Sequence, residues 1–427
     1  MKHEYRVFPN GLRLVVNKTD SKLACVLVRV LSGIEHEKKR EEGITSLVEK
    51  LLACGTKSYP SRKSLKSQID SFGGILSVSA FLDCIEIAIQ AMENNIEKAV
   101  DVLSEIVFEP LIRPVDFATA RKEQILSISA DANDANLLSH DSLRGLVFVE
   151  NGLSKSIFGR KSALEKLSAA DVRQYWESVL NPKNVIVSVS GDIDIDKVYD
   201  CILKMFYSKF LIAKGKAVKP SDAVAVVPKN AEERSVSVTK RLNQSRVSIG
   251  FWTDGVAFGA RHTTLLLAQL IDKKMAEKFE EIDGAYVPEC KVRLFAKNGL
   301  LCLSFAADNE KLEHCVVESA KLVLELVQNG WTNAEFLSER EIYKTKFAQY
   351  LSSIRSLSRM SARVLAQTDI TFDFDSELVE IDQVSQSDCI KLLRSIVVGK
   401  PFVSIVGPKQ DATKILTNFE NVLKGKV

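Results

Sequence analysis

Leu164-Glu165-Lys166-Leu167-Ser168-Ala169-Ala170-Asp171 and Ile381-Asp382-Gln383-Val384-Ser385-Gln386-Ser387-Asp388 share one order: apolar, acid, polar, apolar, serine, two residues, aspartate. Ser-x-x-Asp is an N-cap pattern close to the capping box, so each copy marks the start of a helix. Each predicted helix runs on into an apolar strand, Val185–Ser190 in one copy and Phe402–Val406 in the other. Ser168 stands 23 residues before Gly191, and Ser385 stands 22 before Gly407. A match in pattern, spacing and subsequent strand implies a duplicated unit.

The first copy begins with a hairpin. Arg6-Val7-Phe8 and Leu12–Val16 flank Pro9-Asn10-Gly11, and Asn-Gly favours the tight turn between paired strands. Ala24–Val30 reads as a third strand. Ile44, Leu47, Val48, Leu51 and Leu52 then recur at helical spacing until Gly55. Strands at Ile75–Ala80 and Cys84–Ile89 precede a helix over Asn94–Phe108 and a long helix-rich stretch over Val115–Phe148. A helix near Ala170–Val179, the strand Val185–Ser190 and a helix over Ile195–Tyr207 complete the unit. The second copy places strands at Val236–Val238 and Arg246–Phe251 and a helix at Thr263–Glu280. A hairpin across Lys297-Asn298-Gly299 and three helical stretches lead to Phe402–Val406. The reading is therefore α+β, with two homologous domains, each a mostly antiparallel sheet packed with helices. Residues 1–212 form the first domain and 234–427 the second. The aperiodic, Lys-, Ala- and Pro-rich 213–233 is the linker.

Fifty-eight basic and 55 acidic side chains in 427 residues leave a net charge of +3, which gives no electrostatic case for nucleic acid as a partner. No apolar run approaches the roughly 20 residues that cross a bilayer, and the first residues lack the apolar core of a signal peptide. The eight cysteines form no C-x-x-C pair, and most sit among apolar neighbours as reduced, buried thiols. These features predict a cytoplasmic protein with no membrane partner. The mixed run Glu37-Lys38-Lys39-Arg40-Glu41-Glu42 reads as a solvated loop, with His36 on a surface turn, and His140-Asp141 reads as a structural hydrogen-bonding pair.

Local motifs carry a family resemblance across nearly the whole chain. Phe8-Pro9-Asn10-Gly11-Leu12-Arg13, Ser32-Gly33-Ile34-Glu35-His36-Glu37, Glu42–Lys50 followed by Gly55-Thr56-Lys57, Gly73-Gly74, Asn181-Pro182-Lys183-Asn184 and Gly191-Asp192 occur in order. Together they resemble the pitrilysin/insulinase family of inverted-motif zinc metallopeptidases, in its mitochondrial-processing-peptidase-like branch of short subunits. The resemblance implies a helix bearing H-x-x-E-H. Histidines at i and i+4 share one helix face and one zinc, the glutamate is general base, and a carboxylate some 75 residues on completes the site. On this chain the histidine positions hold Ser46 and Lys50. Glu49 remains as the relic of the general base, and the downstream position falls near Ser127, with Glu123 and Asp131 the nearest acids. A hydroxyl and an ammonium cannot hold Zn²⁺, so no cofactor is expected.

In the second half the resemblance implies an arginine–tyrosine pair that binds substrate backbone. Tyr286 keeps its place as a substrate-binding candidate, while Phe279 or Glu280 replaces the arginine. Family kinship combined with these losses implies a non-catalytic homologue or subunit of a processing-type peptidase. It would pair as a hetero-oligomer with a zinc-competent homologue, or as a homodimer, and help enclose a chamber for unstructured peptides. The alternatives are a metallopeptidase with unrecognised ligands and a purely structural scaffold subunit.

Overall fold

The computed structural model describes residues 2–149, 152–211, 215–217, 230 and 232–425. The first repeat comprises strands β1 (Lys2–Val7), β2 (Arg13–Lys18) and β3 (Leu23–Val30), helices α1 (Ile44–Leu52) and α2 (Arg62–Asp70), then β4 (Ile75–Ala80) and β5 (Ile85–Met92). Helices α3 (Ile96–Phe108), α4 (Pro114–Asp131), α5 (Ala135–Val147), α6 (Lys161–Leu164) and α7 (Ala169–Val179) lead to β6 (Val185–Gly191), α8 (Ile195–Ile202) and α9 (Ser208–Phe210). The second comprises β7 (Ser235–Thr239), β8 (Gln244–Asp254), α10 (Arg261–Phe279), β9 (Ala285–Leu294) and β10 (Asn298–Asp308). Helices α11 (Leu312–Asn329), α12 (Asn333–Ser352), α13 (Ile354–Thr368), α14 (Phe374–Gln383) and α15 (Gln386–Val398) precede β11 (Phe402–Gly407) and α16 (Ala412–Leu423).

The strand orders are β1-β2-β6-β3-β5-β4 and β7-β11-β8-β10-β9. In each sheet the late strand, β6 or β11, inserts centrally. It pairs parallel with one neighbour (β2 or β7) and antiparallel with the other (β3 or β8). All other pairs are antiparallel. This is the expected α+β architecture of two similar sheet domains. Both predicted caps are complete: Ser168 and Asp171, and Ser385 and Asp388, each form a reciprocal capping box at the head of α7 or α15. The hydroxyl–carboxylate bonds hold both aspartates below the usual carboxylate range. The opening hairpin closes with Phe8 N–H donating to Leu12 O at 2.8 Å, over Gly11 at φ 92°.

The compact units are not the two contiguous halves expected from sequence. One unit takes the residues through Ser129, Lys155 to the end of α9, and Ala348–Phe374; the other takes Ala130–Ser154, β7 to Phe347, and Asp375 onward. The halves thus exchange helices: α13 packs on β2, β3 and β6, whereas α5 packs on β7, β8 and β11. The cause lies in the strand pattern. On β6, Val185, Val187 and Val189 join the main core of the first unit, while Ile186, Ser188 and Ser190 are buried outside that core. A central strand buried on both faces needs cover on both. Serines keep the second face shallow enough for a helix to lie close. Ser358 on α13 donates to Ser190 Oγ at 2.8 Å, and Asn17 Nδ2 reaches both Ser190 and Ser361 at 3.0 Å. In the second unit Ser139 on α5 donates to Ser248 Oγ at 2.8 Å.

Other differences are local. The expected helical stretch over 115–148 is two helices, with the Asp134 carboxylate capping α5 through the Asn136 and Leu137 amides. The three stretches expected before β11 are five, α11 to α15. Helices α2 and α16 add to the expected set. Much of the expected linker 213–233 lies outside the described residues. Within it, Lys216 N–H donates to Ser178 O at 2.9 Å, and Asn181 Nδ2 donates to Gly215 O at 2.7 Å. All eight cysteines are free and seven are buried. Among the described residues no helix is long and apolar enough to cross a membrane.

Candidate functional site

Helix α1 starts from Gly43, whose backbone is left-handed at φ 93°, and a Cβ there would meet Phe158 O at 2.5 Å. No residue in the helix's first turn caps it. Glu37 does so from upstream, its two carboxylate oxygens accepting the Gly43 and Thr45 amides at 2.9 Å each. Glu37 is only 3% exposed, which corrects the expectation of a solvated loop at this residue; Lys38–Arg40 are exposed. Burial pushes the Glu37 carboxyl up to about 7, with the two amides and Thr45 opposing, and pushes Glu35 up to about 8. The Lys155 ammonium donates to the backbone carbonyls of both glutamates. Thr45 Oγ1 lies 3.0 Å from the Tyr175 hydroxyl, which also lies 3.4 Å from Ser32 Oγ. His36 folds onto its own turn, with Gly33 N–H donating to Nδ1 at 3.4 Å.

The three positions to which the resemblance assigns the inverted motif come next on this helix. Ser46 is buried and its hydroxyl donates to Ile157 O at 2.6 Å. Glu49 is half-buried and accepts the Ala80 amide of β4 at 3.1 Å, and burial raises its carboxyl above the ordinary value. Lys50 is half-buried and has no ion-pair partner within 4.0 Å among the described residues. On α4, Ser127 donates back to Glu123 O at 3.2 Å and Glu123 is exposed. The α4 side chain that reaches the head of α1 is Gln124. It is fully buried, and its Nε2 donates to Gly43 O and Phe158 O at 2.8 Å each. The spacing along the sequence points three residues further on. Asp131, the last residue of α4, belongs to the other compact unit.

These residues do not fit zinc. A protein site needs at least three nitrogen, sulfur or carboxylate donors. Here one carboxylate stands with a committed hydroxyl, a cationic lysine and an amide whose nitrogen is already bonded to two carbonyls. Among the described residues, one group of three potential ligands converges elsewhere: His262, Glu377 and Glu380 in the second unit. The Arg261 guanidinium pairs with Glu377 there, and His262 Nδ1 bonds the Tyr343 hydroxyl at 2.8 Å, so His262 and Glu377 belong to a buried polar cluster with Glu380 exposed beside it. Tyr286 lies on β9, an edge strand, and its hydroxyl donates to Asp308 at 3.3 Å. Phe279 is a core residue packed edge-on against Phe305, and Glu280 is exposed. His140 Nε2 lies 3.3 Å from Glu289, and Asp141 pairs with Arg144 at 2.9 Å.

Residues 13–161 match the family model described as Insulinase (Peptidase family M16), and residues 166–343 match that of the Peptidase M16 inactive domain. The chain belongs to the pitrilysin/insulinase family. Similar proteins include an uncharacterized zinc protease of Streptomyces coelicolor, 22% identical over 94% of this chain and 89% of the relative. Another is the beta subunit of mitochondrial-processing peptidase from Dictyostelium discoideum, 19% identical over 93% and 87%. A chain in the structure of Complex III2 from Candida albicans superposes with a TM-score of 0.80 at 16% identity, covering 97% of this chain and 99% of that one. At such identity the structural match speaks for the fold alone.

Proposed function

We propose that this insulinase-family chain is a non-catalytic subunit that pairs with a zinc-competent homologue and helps to enclose its peptide-binding chamber. The observation that carries this reading is the chemistry of α1 and α4. Ser46, Lys50 and Ser127 stand where the resemblance would place ligands, and the Ser46 hydroxyl, like the amide nitrogen of Gln124, the α4 side chain that reaches α1, is engaged in holding the fold. Glu49 has no metal to serve and braces β4 instead. One relative, the beta subunit of mitochondrial-processing peptidase, is by name part of a larger assembly, which supports pairing as the role left to such a chain. The same reading assigns it to the cytoplasm, where free, buried thiols persist.

Co-expression with the most similar zinc-competent homologue of the same organism, followed by size-exclusion chromatography with light scattering, tests the proposal. The expected result is a one-to-one complex that turns over unstructured peptides faster than the homologue alone. A strict monomer with no effect on turnover overturns it. Elemental analysis that finds one tightly held zinc per chain, with chelator-sensitive proteolysis, would replace it with the reading of an active peptidase. A complex with no change in turnover would favour a structural scaffold.

A further inference from the structure

A cavity of about 880 Å³ opens between the loop leading into α1 and the helices α6 and α7, all within the first unit. Six cationic side chains line it: Lys38, Lys39, Arg40, Arg160, Lys166 and Lys216. Only two acids, Glu41 and Asp171, share the wall, in a protein whose charges otherwise nearly balance at 58 to 55. Neither acid is free. Glu41 lies 3.5 Å from both Lys38 Nζ and Arg40 Nε. Asp171 is held in the capping box, accepting the Ser168 amide at 2.8 Å and the Ser168 hydroxyl at 2.6 Å. Arg160 is fastened by Glu42 through two bonds. Lys39, Lys166 and Lys216 have no ion-pair partner within 4.0 Å among the described residues.

We infer that this cavity is a binding site for a small polyphosphorylated ligand. Like charges gathered in a concave wall repel one another, and a low-dielectric floor focuses their field outward. Ile44, Leu167 and Val179 supply that floor. One phosphate could satisfy a single lysine, but three unneutralised ammoniums distributed around the cavity suit a chain of anionic groups. The volume lies within the range of small-molecule pockets, so a di- or triphosphate with an attached organic group fits it. The site stands apart from the pairing proposed above, and either can fail without the other.

Isothermal titration of the full chain with inorganic tripolyphosphate and with ATP, at low and at physiological salt, tests the assignment. Saturable one-to-one binding that weakens as salt rises is expected. ATP binding more tightly than tripolyphosphate would show that the apolar floor takes the organic group; equal affinity would show that the phosphates alone are read. The Lys39→Glu/Lys166→Glu variant should lose affinity by roughly tenfold or more, the usual scale for a lost charge-assisted bond. Lys63→Glu/Lys122→Glu makes the same charge change on exposed positions outside the cavity and should bind nearly as the parent does. The inference is overturned if neither probe binds saturably, if both variants weaken binding equally, or if a polyglutamate peptide binds more tightly than either probe.

Discussion

Helices α1 and α10 hold the same place in their repeats, each coming after a central strand, β3 or β8, yet opposite chemistries sit at their heads. At α1 an acid, Glu37, is buried against backbone amides and is pushed up to about 7. At α10 a base, His262, is buried between Tyr343, Phe347 and Glu377; burial and then the neighbouring Arg261 push it down to about 3. Both groups are held toward their neutral forms, as desolvation requires. Duplication fixed the topology of this position but not its charge. In each half the polar group there now serves the fold.

The largest effect should come from Glu37→Ala, which strands two buried amides at the start of α1. A loss of roughly 2–6 kcal/mol is expected at 1–3 kcal/mol per unsatisfied group. Urea unfolding followed through Trp176, which lies in the first unit, measures it. An unchanged midpoint would mean that α1 finds another cap. His262→Ala should cost less, about 1–3 kcal/mol, because Glu377 keeps its bond to Arg261. Here Trp252 and Trp331 in the second unit are the reporters, in a Trp176→Phe background. If this loss exceeded that of Glu37→Ala, the second cluster would be the more critical of the two.

The pH responses of the two units should have opposite signs. The folded Glu37 carboxyl binds its proton more tightly than an unfolded one, so its contribution is full below about 4.5 and is lost as pH rises through about 7. His262 is depressed, so its contribution is present above about 6.5 and is lost as pH falls toward about 3. Midpoints read from the two sets of tryptophans across pH 3.5 to 8 should therefore shift in opposite directions, and Glu37→Gln and His262→Gln should each flatten one of them. Parallel shifts would contradict the comparison.

The smallest effect is expected on metal binding. Ser46→His/Lys50→His supplies two imidazoles without a third ligand, and the first of them must overpack a buried site. Neither retained zinc after dialysis nor peptide hydrolysis should appear. Adding Gln124→Glu sharpens the point, since zinc retained by the triple variant alone would mark Gln124 as the lost ligand position.

Much of this architecture is legible because it is written in short range. The Asn10-Gly11 turn, both Ser-x-x-Asp boxes and the apolar runs of β6 and β11 each need only a few neighbouring residues to be read. Helix α2 is hidden because just two of its residues, Leu65 and Ile69, are buried. Glu37 escapes a local reading because its partners lie six and eight residues ahead, beyond any local capping rule. That Gln124, not Ser127, is the α4 residue reaching α1 has a similar cause. Sequence spacing fixes which turn of α4 approaches α1 only to within about one turn, whereas the bonds to Gly43 and Phe158 fix it to one residue.

The sequence by itself determined the two repeats, their strands and caps, and the serine and lysine that stand at positions 46 and 50. Only the tertiary structure decided which sheet each helix covers. An amphipathic helix records that it must bury one face, but nothing in its period names the surface that will receive it. The serine-lined second faces of the sheets accept α13 and α5 across the boundary between the halves.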